Sequence, residues 1–165
     1  MPKEQKKNDA ETVKEVVRAG YAAIATGERA SCCGSGGCCQ TGPENIALAV
    51  GYDADSLELL PDGANMGLSC GNPLAIAALR EGQTVLDLGS GGGFDVFQAG
   101  VKVKESGRVI GVDMTPEMLQ KARKNTVQYR ERTGLDNVEF RLGEIEHLPV
   151  TSGNSKTSTI QHTGV

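Results

Sequence analysis

The sequence is short of the residues from which protein cores are built. Leu, Ile, Val and Phe make up 36 of its 165 residues, just above the level below which soluble chains stay unfolded. Nor is there an excess of positive charge. Seventeen Lys and Arg stand against 21 Asp and Glu, for a net charge of −4, which excludes a strongly basic nucleic-acid binder. No apolar run exceeds about six residues, too few for a membrane-spanning helix. The start, Met1 to Asp9, is charged with no apolar run behind it, unlike a secretory signal. What the chain has in abundance is glycine, 22 residues, nearly twice the usual share. A small core with much loop is expected.

Five cysteines stand out. Cys32, Cys33, Cys38 and Cys39 fall within eight residues, and Cys70 lies apart. An odd count with adjacent pairs argues against a disulfide framework and for reduced thiols in a cytoplasm. The stretch CCGSGGCC could bind a soft metal. Cys33 and Cys38 have a zinc-like spacing, but no second pair follows, so a soft thiophilic ligand held by two or three thiolates is preferred to structural zinc. An untenanted cysteine-rich loop, and a buried structural role for Cys70, are the plain alternatives. His147 and His162 have no supporting pattern.

Residues 9–28 have the spacing of an amphipathic helix. Val13, Val16, Val17, Tyr21 and Ile24 lie on one face, Asn8 or Asp9 can cap the start, and Gly27 can end it. Residues 31–42 are too glycine-rich for a helix. Short helices are expected around 44–50, 54–60 and 73–80. At Gly82 the pattern changes: strand 84–88, helix 94–103, strand 108–112, helix 116–133 and strand 138–142 form βαβαβ with a parallel sheet. Residues 151–165 are rich in Ser and Thr and are expected to be disordered.

The strongest chemical signal is Asp87-Leu-Gly89-Ser-Gly91-Gly-Gly93, which follows a strand and precedes a helix. Its glycines allow a sharp turn and a close approach to a ligand at a helix N-terminus. Asp113, at the end of the next strand, can accept hydrogen bonds from both ribose hydroxyls of a nucleoside. A dinucleotide fingerprint needs Gly where Phe94 stands. The GxGxG pattern, with an Asp two residues earlier, is instead similar to the S-adenosylmethionine loop of Rossmann-like methyltransferases. At the third strand's end, Glu144 or Glu146 can face the adenine amino group or be a solvated loop acid. Met114 can cover the adenine or belong to the core.

Taken together, SCCG and CC in the first loop, SCGNPLAIAALREGQTVLDLGSGGGFDV, VIGVDMTPEMLQKAR and NVEFRLGEIEHLP make the chain resemble an arsenite S-adenosylmethionine methyltransferase over residues 9–150. The resemblance implies an α/β, partial Rossmann-like fold of three parallel strands with helices. Residues 1–80 would be a helical, cysteine-bearing region, 81–150 the cofactor-binding half, and 151–165 a tail. It implies S-adenosylmethionine held by Asp87, Gly89, Gly91, Gly93, Asp113, Met114, Glu144 and Ile145. It further implies As(III), free or as a thiol conjugate, held by Cys70 with Cys32, Cys33, Cys38 and Cys39 handing it in or adding a ligand. A small-thiol reductant would be a further partner, with no role for nucleic acid or membrane.

The family continues beyond Pro149 with an apolar fourth strand beside strand 84–88, ending in a further ligand cysteine. This chain departs at Thr151, so it reads as a truncated or altered member. The edge of strand 84–88 would then be left unpaired, favouring self-association or a complementing fragment. Methylation of another small molecule, and a non-catalytic or remnant binding product, are the competing functions.

Overall fold

A computed structural model describes residues 2–28, 57–66, 76, 78–147 and 157–161 of the chain. The first element is helix α1, Pro2–Thr26. It is followed by β1 (Thr84–Leu88), α2 (Phe94–Val103), β2 (Arg108–Asp113), α3 (Pro116–Thr133), β3 (Val138–Leu142), a single 3-10 turn at Ile145–His147, and β4 (Thr157–Gln161). The five cysteines and the expected helix at 44–50 lie outside the described residues, as do 54–56 of the helix expected at 54–60 and 73–75 and 77 of that expected at 73–80.

The βαβαβ unit has the expected elements. All pairings are parallel, in the order β3-β2-β1-β4. The register sets Val85 beside Val109 and Val109 beside Val138. Pro116 opens α3, where its fixed φ suits the first turn. Gly134, with φ +71°, ends it.

Two boundaries differ from expectation. α1 begins at Pro2 and runs through Asn8 and Asp9, so neither caps it. The Lys, Glu and Gln of the first turns are strong helix formers and Pro2 fits a helix start, which extends the helix N-terminally. Its end is as expected: Gly27 has φ +80° and its N–H bonds the Ile24 carbonyl.

The second difference is a correction. Residues 157–161 form a strand within the stretch expected to be disordered. β4 pairs with β1 along its whole length, from Thr84 beside Thr157 to Leu88 beside Gln161. The edge of β1 expected to be open is therefore occupied. Two effects account for this. The TSTIQ segment is dominated by β-branched residues, which favour extended backbone. In addition, an edge of a buried parallel strand is a row of unmet N–H and C=O groups that any available strand can satisfy.

The core lies between the sheet and helices α2 and α3. Val85, Val96, Val103, Val109 and Leu119 are sealed from solvent. Phe97 stacks 5.1 Å from Tyr129 and meets Phe140 edge-on at 5.5 Å. Asn137 links three elements. Its amide donates to the carbonyls of Gly100 and Lys104 at the end of α2, and its carbonyl oxygen accepts from the Tyr129 hydroxyl at 2.8 Å. Burial pushes that phenol up to about 12, so Tyr129 stays neutral and serves as a donor.

Candidate functional site

At the carboxyl ends of β1, β2 and β3, where open α/β sheets hold ligands, lies a cavity of about 390 Å³. Its floor is the turn Gly89–Gly92 and the start of α2. Asp113, Met114 and Thr115 form one side, and Gly143, Ile145 and Glu146 another. Ala64 and Met66 come from the preceding loop, and Val13, Lys14, Val17 and Tyr21 come from α1.

The floor is shaped by the backbone. Gly89 and Ser90 both donate to the Val112 carbonyl, at 2.8 and 3.0 Å, fastening the turn to β2. Gly89 has φ +86°, and a Cβ there would meet none of the described residues within 4 Å. Gly93 has φ +89° and caps α2 without a side chain. A Cβ on Gly93 would lie 2.7 Å from Phe140 Cζ and 2.9 Å from Phe97 Cε2. Glycine at 89 thus keeps backbone open to the cavity, whereas glycine at 93 lets the turn sit on the aromatic core.

Asp113 joins the loops. Its carboxylate accepts from Gly91 N–H at 2.9 Å and Thr115 N–H at 2.8 Å, and its own carbonyl accepts from Gly143 N–H at 3.0 Å. Each carboxylate oxygen has capacity for another donor. The Ser90 hydroxyl, at the wall, is buried without a hydrogen-bond partner among the described residues.

On the far side, α1 meets the loop after β3. Lys14 Nζ lies 3.0 Å from Glu144 Oε2 and 3.3 Å from Glu146 Oε1, and an Arg18 nitrogen lies 3.0 Å from Glu144 Oε1. His147 Nδ1 is 3.3 Å from Glu144. The Lys14 hydrogen bond holds the Glu144 carboxyl below its usual range, and the same bond raises Lys14.

Of the residues singled out from sequence, Gly89, Gly91, Asp113, Met114 and Ile145 line the cavity. Three do not. Asp87 is wholly enclosed behind the turn. Gly93 is enclosed beneath it, against the aromatic core. Glu144 is paired with the two cations of α1 and does not line the cavity, while its neighbour Glu146 does. The α1 residues and Met66 were missed. The apolar face of α1 was legible, but Val13, Val17 and Tyr21 border the cavity instead of entering the core and stay substantially exposed. Among the described residues there is no cluster of His, Cys, Asp and Glu able to hold a metal, and no helix long and apolar enough to cross a membrane.

Residues 79–160 match the family described as Methyltransferase domain. An arsenite methyltransferase of Halobacterium salinarum is 52% identical over 151 residues, covering 86% of this chain and 37% of that protein. Arsenite methyltransferases of Aquipseudomonas alcaligenes and Homo sapiens are 48% and 40% identical, each over 48% of this chain and about a fifth of their own lengths. A crystal structure of an arsenic (III) S-adenosylmethionine methyltransferase from Chlamydomonas reinhardtii is 35% identical, with a TM-score of 0.41 over 63% of this chain and 32% of that one. The chain thus spans little more than a third of the length of the curated relative it matches over most of its residues. With the glycine turn, Asp113 and the parallel sheet in place, the chain belongs to the S-adenosylmethionine-dependent methyltransferases, and its kinship within them is to the arsenite methyltransferases.

Proposed function

We propose that the cavity at the strand ends holds S-adenosylmethionine for methyl transfer to thiolate-bound As(III). The observation that carries the cofactor half is the bond between Gly91 N–H and the Asp113 carboxylate, which sets a close-approach turn beside an acid able to accept from ribose hydroxyls. Ser90, whose buried hydroxyl has no partner among the described residues, supplies a further polar group at the wall. The Gly89–Gly92 backbone and the start of α2 suit the carboxylate of the methionine moiety. Met114 and Ile145 offer apolar surface to the adenine. When bound, the cofactor supplies an electrophilic sulfonium methyl group. The protein's part is to hold and align the two reactants, which needs no general base.

The arsenic half is supported by 52% identity to a protein named arsenite methyltransferase and by the thiols. Cys70 is the proposed core ligand, with Cys32, Cys33, Cys38 and Cys39 delivering arsenite or completing the set. A trigonal arsenic–thiolate complex keeps a lone pair that can take the methyl in line. Such chemistry needs reduced thiols, and so a small-thiol reductant and a reducing compartment such as the cytoplasm.

Calorimetry tests the cofactor half, with S-adenosylhomocysteine expected to bind and NAD not. NAD binding without S-adenosylhomocysteine binding would overturn it. Arsenite titration of Cys70→Ser tests the other half, because a hard hydroxyl replaces a soft thiolate. An unchanged titration would remove Cys70 from the ligand set.

A further inference from the structure

The feature that the glycine turn and Asp113 leave unexplained is α1. Lys14 and Arg18 are four residues apart and project from one side of the helix. Both reach Glu144 at 3.0 Å, and Lys14 also reaches Glu146 at 3.3 Å. Val13, Val17 and Tyr21, on an adjoining side, border the cavity yet remain partly exposed, Val13 by 61% and Tyr21 by 42%. Met114 and Ile145 add further apolar lining. A slot with apolar walls and polar groups at its floor suits a flat, weakly polar ring attached to a polar sugar.

We propose that α1 is a wall of the cofactor site, closing its apolar side on the adenine ring of S-adenosylmethionine, and that Glu144 serves this site by latching α1 through Lys14 and Arg18. The proposal rests on the cofactor reading given above. It makes Glu144 a positioning residue with no contact of its own to the ligand. It also gives a role to an acid expected at the adenine that does not line the cavity. The exposed apolar side of α1 loses its contact with water when the ring is bound, so binding and helix docking reinforce each other.

The test is charge exchange read by calorimetry with S-adenosylhomocysteine and by hydrogen exchange of the α1 amides. Lys14→Glu/Arg18→Glu should weaken binding by about three- to tenfold, the range for two partly exposed ion pairs. It should also raise exchange over residues 11–26. Adding Glu144→Lys to that variant should restore most of both. In the unmodified protein, bound ligand should slow exchange in α1, and raising salt toward 1 M should weaken binding, because the ligand carries no net charge while the latch is screened. Restoration of helix protection without restoration of affinity would mean that Glu144 touches the ligand, overturning the latch. Unchanged affinity in the Lys14→Glu/Arg18→Glu variant would likewise overturn it. An unmodified protein that does not bind S-adenosylhomocysteine would overturn the cofactor reading itself.

Discussion

Gly91 donates its N–H to the Asp113 carboxylate over 2.9 Å, so the turn after β1 and the acid that ends β2 form one unit. Removing the acid therefore loosens the turn as well as deleting a ligand group. Asp113→Ala should weaken S-adenosylhomocysteine binding by about 1–3 kcal/mol, the range for an unmet polar partner. Asp113→Asn, which keeps an acceptor oxygen, should lose less. Calorimetry on the two variants checks the order, and equal losses would mean that the negative charge, not the hydrogen bonds, is what matters.

Gly93 and Gly89 share a positive φ but not their surroundings. Gly93→Ala incurs both backbone strain and a collision with Phe140 and Phe97, together about 2–5 kcal/mol of stability. Gly89→Ala incurs the strain alone, about 1–2 kcal/mol, and its larger effect should be on ligand affinity. Urea unfolding separates the two, and similar midpoints would contradict the packing described.

Asn137→Ala should be among the more damaging single changes. It removes a second donor from the carbonyls of Gly100 and Lys104, which keep the N–H groups of Lys104 and Gly107, and takes the Asn137 acceptor from the buried Tyr129 hydroxyl, at about 1–3 kcal/mol for a buried unmet group. Combining it with Tyr129→Phe should cost less than the sum, because the hydroxyl is then gone. A double-mutant cycle in urea would measure the difference.

Docking of α1 should depend on pH outside a narrow window. Glu144 is lowered in the folded protein, so its contribution is present above the ordinary carboxylate range and is lost as pH falls through the lowered value. Lys14 is raised, so its contribution is present below the ordinary lysine range and is lost as pH rises through the raised value. Glu146 and His147 flank the pair on the loop side. Hydrogen exchange of α1, corrected for intrinsic rates, should be flat from about pH 8 to 9. A break inside that window would point to another group.

β4 protects the edge of β1. Ile160→Pro removes an N–H and fixes φ within the strand. The amides of Leu86 and Leu88, on the side of β1 that faces β4 in the ladder, should exchange faster, and self-association should rise in ultracentrifugation. Full protection in the variant would show that something else covers this edge.

The parts legible in sequence are those whose causes are local. A short apolar run, a glycine turn and an acid at a strand end lie within thirty residues of each other, and each restricts the backbone on its own. Hence β1, the turn, β2 and Asp113 were readable together. The roles of Glu144 and β4 were not. Glu144 is settled by Lys14 and Arg18, more than a hundred residues earlier, and no local pattern encodes that meeting. TSTIQ carries too little apolar surface to announce a strand, and pairs because β1 presents an edge. The amphipathic period of α1 was clear, but periodicity says only that a helix has an apolar side, not whether that side meets a core or a ligand.

The strand order β3-β2-β1-β4 has a consequence for the nascent protein. Synthesis delivers α1 to the ribosome exit first, yet the acids that latch it are made after β3. It delivers β1 before its neighbours, yet the strand that covers one side of β1 is made last of the four. Both the first helix and the first strand must therefore wait. Until residues 157–161 emerge, β1 is an incomplete template, and any cellular factor that shields hydrophobic strands has its longest opportunity there. The helix and the strand released first are thus completed only by segments released late.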